Sequence, residues 1–261
     1  MINLNLVLYK INEIERQSSQ ADALHNLDAR AKLITTLLFL VFMLSLPITA
    51  IENTVLFASF PIALCSMAKI SYSTIAVRSL IALPFVALVG IFNPILDTHT
   101  QYMIGRVAIS SGWVSFVTII LRGLLATQAI LILIASTGFH RICTAMTRLG
   151  VPAIFATLLL LIYHYIFILL GEAMSMHRAR VSRSFGKKSY SLKEWSTFVG
   201  QLFLRALTHS QTVYNAMLSR GFNGKIAVTH ATTWTMRDTA FTVFISLALI
   251  LLRFINLYQI L

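Results

Sequence analysis

The chain has 261 residues, of which 57% are apolar and only 11% charged, with a mean hydropathy of +0.78. A soluble domain is nearer half apolar and a quarter charged, so much of this surface faces lipid rather than water. The 21 Lys and Arg against 9 Asp and Glu fit basic loops at a membrane; without a recurring aromatic-and-basic surface, no nucleic-acid partner is expected.

Residues 1–20 contain Lys10, Glu13, Glu15 and Arg16 among short apolar runs. They lack the basic start, apolar core and small-residue cleavage site of a signal peptide, so the first long apolar run is expected to be a retained span. A span needs about 20 mostly apolar residues. Six stretches approach that: 32–48, 52–68, 78–96, 114–136, 152–171 and 238–256. The hinge Pro47-Ile48-Thr49 makes a hairpin of the first two.

Lys10, Arg16, Arg30 and Lys32 place the N-terminus in the cytoplasm by the positive-inside rule. The loop around Glu52 is then outside, Lys69 and Arg78 inside, and the loop from Asp97 to Gly112 outside; the fourth span returns the chain to the cytoplasm near Gly138. The charge of the next segment decides the stretch 152–171. Residues 172–237 hold ten Lys or Arg and two acids, Glu172 and Glu194. If 152–171 crossed, that basic stretch would be exported. If it does not, everything from Phe139 to Arg237, with 12 of the 21 basic residues, stays inside. The second reading is preferred.

The predicted fold is therefore an all-α integral membrane protein of five transmembrane helices with a cytoplasmic part of three helices. Its predicted divisions are 1–137, with the N-terminal segment and spans one to four; 138–237, cytoplasmic; and 238–261, the last span.

Within 138–237, a short helix lies between Gly138 and Gly150, with Phe139, Ile142, Ala145, Met146 and Leu149 on one face. A long helix runs from Pro152, a residue suited to a first turn, to Phe185. The next apolar positions are Trp195, Phe198, Val199, Leu202, Phe203, Ala206, Leu207, Val213, Tyr214, Met217 and Leu218, the spacing of an amphipathic helix. Ser191 and Glu194 fit a capping box at its start, and Gly221 stands just past its end.

The two long helices close alike, on Ser182-Arg183-Ser184-Phe185-Gly186-Lys187 and on Ser219-Arg220-Gly221-Phe222-Asn223-Gly224-Lys225. A helix C-cap explains the arginine and the glycine but not the shared Phe. A pair of protruding docking tips is the other reading, and the pattern alone leaves both open.

A small-Arg-small tripeptide ending each of two long helices resembles the coupling helices of the T component of energy-coupling-factor transporters. Ser182-Arg183-Ser184 and Ser219-Arg220-Gly221 stand where that family usually has Ala-Arg-Gly. His25-Asn26-Leu27-Asp28-Ala29-Arg30-Ala31-Lys32 resembles the family's approach to its first span, with Ala29 in place of the usual Pro. Leu149-Gly150-Val151-Pro152, Tyr163-His164-Tyr165 and Glu172 resemble its cobalt-type subset, CbiQ, although His164 stands where Arg is usual. The similarity covers most of the chain.

That resemblance implies five spans with three cytoplasmic coupling helices, and a non-catalytic subunit of an importer for cobalt, or alternatively for nickel or a vitamin. It implies two cytoplasmic ATPase partners receiving Ser182, Arg183, Ser184, Ser219, Arg220 and Gly221. It also implies a substrate-binding membrane subunit, the S component, with Trp195, Phe198, Leu202 and Phe203 packing between coupling helices or on that subunit.

No cofactor is expected. The sequence has no Gly-rich phosphate loop ending in Lys-Ser/Thr, no nucleophile elbow, and no paired histidines or cysteines at metal-ligand spacing; Cys65 and Cys143 read as small core residues. No acid lies in the middle of a predicted span, which argues against an ion-driven carrier or a membrane enzyme acting on lipid. Arg122 is the one base deep in a span, its partner a headgroup, a carbonyl or another subunit.

Overall fold

The computed structural model describes residues 27–48, 51–96, 100–104, 107–183, 191–224 and 234–254. Among these the protein is helical apart from one short hairpin, and it divides into two compact units: 27–145 with 234–254, and 146–224.

The first unit is built around one long helix. In chain order its elements are α1 (Ala29–Leu44), α2 (Ile51–Leu56), α3 (Ser59–Met67), α4 (Tyr72–Ser79), a 3-10 turn (Leu80–Ala82), α5 (Leu83–Gly90), α6 (Asn93–Leu96), β1 (Thr100–Ile104), β2 (Val107–Ser110) and α7 (Ser111–Thr137). Then comes α8 (Phe139–Arg148), and after the second unit α11 (Met236–Phe254).

Asp28 starts α1 as its N-cap, accepting from the Arg30 backbone N–H at 2.9 Å. Its own N–H donates to Asp238 Oδ1 at 2.7 Å, while Asp238 Oδ2 accepts from the Thr235 N–H and hydroxyl at 2.8 and 2.7 Å. One carboxylate thus serves two helix starts, where the positive dipole ends favour it. Arg30 pairs with Asp28 and sits 5.3 Å from the centre of the Trp234 ring. Donating to the Asp28 carboxylate raises the Arg30 pKa above its ordinary value.

Two further contacts fix α1 antiparallel to α7. Lys32 Nζ donates to the Ser136 carbonyl at 3.1 Å. At the other end, Arg122 donates from Nη1 to the Leu46 carbonyl at 3.0 Å and from Nη2 to the Pro47 carbonyl at 2.6 Å. Lys32 to Leu46 and Arg122 to Ser136 are equal runs, about 21 Å of helix each. Arg122 therefore ties α7 to two carbonyls of the turn just past α1, with the Thr54 hydroxyl accepting from it as well at 3.4 Å, and carbonyls are among its partners.

Between these ends lies the core, with Phe39 stacked on Phe60 at 4.3 Å and Met43, Phe57, Leu125, Ile132 and Leu249 around them. On another side of α7, Tyr72 Oη donates to Gln128 Oε1 at 3.2 Å. Val86 fills the space beside Gly123, and Phe116 that beside Gly90.

Several predicted boundaries are corrected. Where the sequence predicts a span over 78–96, the apolar helical run is Tyr72–Gly90. Arg78 lies inside it rather than marking its start, because a long basic side chain can lead its charge out of an apolar region while its backbone stays helical. The segment expected over 52–68 is broken after Leu56 and resumes at Ser59, with Pro61 in the first turn of the new helix, where a missing N–H costs nothing. The loop from Asp97 to Gly112 contains the antiparallel pair β1–β2, Tyr102 opposite Ile109 and Ile104 opposite Val107.

Among the described residues, three helices are long and apolar enough to cross a membrane: Tyr72–Gly90, Ser111–Thr137 and Ala153–Arg183. Helix α1, at 16 residues, falls short of that length. Ala153–Arg183 contains the segment that its charged sequel argued against crossing.

The second unit is a helical pair: α9 (Ala153–Arg183) and α10 (Leu192–Ser219), of 31 and 28 residues.

Candidate functional site

Helix α10 begins as its sequence demands. The Ser191 hydroxyl accepts from the Glu194 N–H at 3.3 Å, and Glu194 Oε2 accepts from the Ser191 N–H at 3.2 Å, closing the capping box. The same Glu194 oxygen takes the guanidinium of Arg180 from α9. Two turns before Arg180, Glu172 pairs with Arg205 of α10, and the Tyr165 and His209 rings meet edge-on at 5.8 Å. Beyond the helix, Thr157 Oγ1 donates to the Gly224 carbonyl at 3.4 Å. Ascending positions on α9 meet descending positions on α10, so the pair is an antiparallel hairpin.

That register decides where the arginine tripeptides lie. Ser182 and Arg183 close α9, both exposed, with the Ser182 hydroxyl turned back on the Arg178 carbonyl at 3.1 Å. Ser184 lies outside the described residues. Ser219 ends α10 at the opposite end of the hairpin, and Arg220 is its C-cap. Gly221 comes next with φ +80, the Phe222 N–H donating to the Met217 carbonyl at 3.0 Å and the Gly221 N–H to Leu218 at 2.9 Å. This double closure needs a left-handed residue, which glycine supplies without a Cβ clash. It presents Ser219, Arg220 and Gly221 on an exposed corner. The two tips are separated by the length of α10, about 42 Å.

The four apolar positions of α10 divide between two faces. Phe198 and Leu202 are half-buried, continuing through Ala206, Val213 and Met217 as one stripe. Trp195 and Phe203 are 50% and 61% exposed, with Val199, Leu207, Tyr214 and Leu218 also exposed. No residue of α10 is fully buried, and the first half of α9 exposes Phe155, Leu158, Ile162 and Ile166. The pair therefore offers apolar surface to something besides itself. Between the helices, a groove of about 410 Å³ is lined by Ile168, Leu169, Leu204, Thr208 and Thr212 around the Glu172–Arg205 pair.

Reading the sequence missed both ion pairs. The available signal was that Glu172 and Glu194 are the only acids in a stretch with ten bases. Their partners lie 33 and 14 residues away, and only the antiparallel register assigns them.

A family model described as "CbiQ: Cobalt transport protein" matches residues 20–234. The chain is 27% identical over 251 residues to an uncharacterized protein of Methanocaldococcus jannaschii, covering 91% of this chain and 85% of that one. It is also 28% identical over 130 residues to a putative fused cobalt transport protein CbiMQ of Methanocorpusculum labreanum, covering 49% of this chain and 22% of the relative.

Proposed function

The chain belongs to the CbiQ family of cobalt transport proteins, and from that premise we propose that it is the membrane coupling subunit of an ATP-driven importer of the energy-coupling-factor type, with cobalt ions as cargo. Two cytoplasmic ATPase subunits hydrolyse ATP and receive the tips around Arg183 and Arg220. A separate substrate-binding membrane subunit, the S component, carries the ion. This subunit performs no chemistry: it converts approach of the ATPases into movement of the apolar hairpin on which its membrane partner rests.

The observation carrying this reading is the placement of the arginine tripeptides at opposite ends of one antiparallel hairpin. Tips about 42 Å apart suit two subunits better than one, and a hairpin that joins them transmits a change in either. A guanidinium in a partner's groove makes charge-assisted hydrogen bonds stronger than neutral ones.

The ends of the first unit support a cytoplasmic position for 138–237. Helix α7 ends beside Lys32, and α11 begins beside Asp28, both at the start of α1. The intervening chain therefore leaves and returns on one face, which requires an even number of crossings. Among the described helices of that segment, α9 alone is apolar and long enough to cross. We read α9 as not crossing, because a crossing would export the basic stretch that follows it. The basic content of 138–237 makes that face the cytoplasmic one, in the inner membrane of a prokaryote.

Replacing Arg183→Glu or Arg220→Glu is expected to leave membrane insertion intact. Each should weaken copurification of the ATPases by about tenfold or more, and the double variant should abolish cobalt uptake. A double variant that imports cobalt like the parent refutes the docking role.

A further inference from the structure

We infer that Glu172, Arg205, Arg180 and Glu194 are positioning residues that set the register of the two coupling helices, and so the distance between the two arginine tips. The inference rests on the coupling-subunit reading above.

The four charges are arranged reciprocally. Helix α9 supplies an acid and then a base, Glu172 and Arg180, while α10 supplies Glu194 and then Arg205. Both pairs close in one antiparallel alignment. In a parallel alignment the chain order would separate at least one of them. Glu172 and Glu194 are also the only acids between 172 and 237. Both negative charges of this basic stretch thus take part in pairs that cross the hairpin.

Their exposure shows what such pairs can do. Glu172 and Arg205 keep 37% and 58% of their side-chain surface open to solvent, where an ion pair contributes little to stability. The groove lined by Ile168, Leu169 and Leu204 leaves the helices apart at that level. Such a contact selects one alignment of two long helices and can break and re-form as they slide.

The test uses the whole transporter in proteoliposomes, comparing Glu172→Arg, Arg205→Glu, the exchanged double variant and the milder Glu172→Gln. The readout is cobalt ions imported per ATP hydrolysed. The single reversals should keep ATPase copurification and lose about threefold or more in coupling, with Glu172→Gln between them and the parent. The exchanged pair should recover most of the loss, whereas a merely structural role would lower ATPase copurification and leave the ions imported per ATP unchanged. Single reversals that couple like the parent, or an exchanged pair as poor as the single variants, would overturn the inference. Failure of the parent itself to copurify with ATPases would instead refute the coupling-subunit reading.

Discussion

At the scale of single residues, the side chains that decide most are those with no freedom to move. Arg122 stands 11 positions into α7 and bonds the carbonyls of Leu46 and Pro47. Arg122→Met would leave both without their donor, at about 1–3 kcal/mol for the acceptor of the buried Leu46, while the exposed Pro47 can turn to solvent. We expect a clear fall in melting temperature in detergent and a smaller one for Arg122→Lys, which keeps one donor point but loses the fork. Gly123 has the opposite difficulty, since an added Cβ would lie 2.6 Å from Val86 Cγ2 and 2.7 Å from Cγ1. Val86 is stiff at χ1, so Gly123→Ala should cost about 1–3 kcal/mol. Gly171→Ala, which meets nothing within 4 Å, should raise stability of the isolated subunit by up to about 1 kcal/mol. Thermal unfolding of the two variants side by side checks the contrast. The depth of Arg122 was legible in the sequence. Its partners were not, because a backbone carbonyl leaves no mark on residue identity.

Among the elements, legibility tracked the range of the forces involved. The capping box of Ser191 and Glu194 and the left-handed Gly221 were readable because both motifs close within a few residues. For the same reason the helix between Gly138 and Gly150 appears as Phe139–Arg148. The expected long helices appear as Ala153–Arg183 and Leu192–Ser219. Charge was a poorer guide to ends: Arg78 lies inside the helical run Tyr72–Gly90, and the break after Leu56 carried no proline or glycine at the break itself. Gly221→Ala tests whether the cap matters to docking. At φ +80 a Cβ costs about 1 kcal/mol, enough to fray the last turn and loosen Ser219 and Arg220. ATPase copurification should fall several-fold while membrane insertion is unchanged.

For the whole molecule, the proposed topology is tested with an engineered cysteine at Lys187. An impermeant maleimide should label it in inverted membrane vesicles and not in intact cells; labelling in intact cells refutes the cytoplasmic placement. The native background is low, because Cys65 and Cys143 are both buried and burial pushes the Cys143 thiol pKa up, which suppresses the reactive thiolate. The sequence by itself determined the class of protein, the helical elements of the basic segment and the two arginine-bearing ends. Composition, periodicity and capping act within a turn or a span and are written in consecutive residues. Tertiary structure decided that the tips stand at opposite ends, that two acids bridge the hairpin, and that Asp238 joins the first and last helices of its unit. Those facts depend on which distant segments lie side by side, and that is set by packing over the whole fold rather than by any local run of residues.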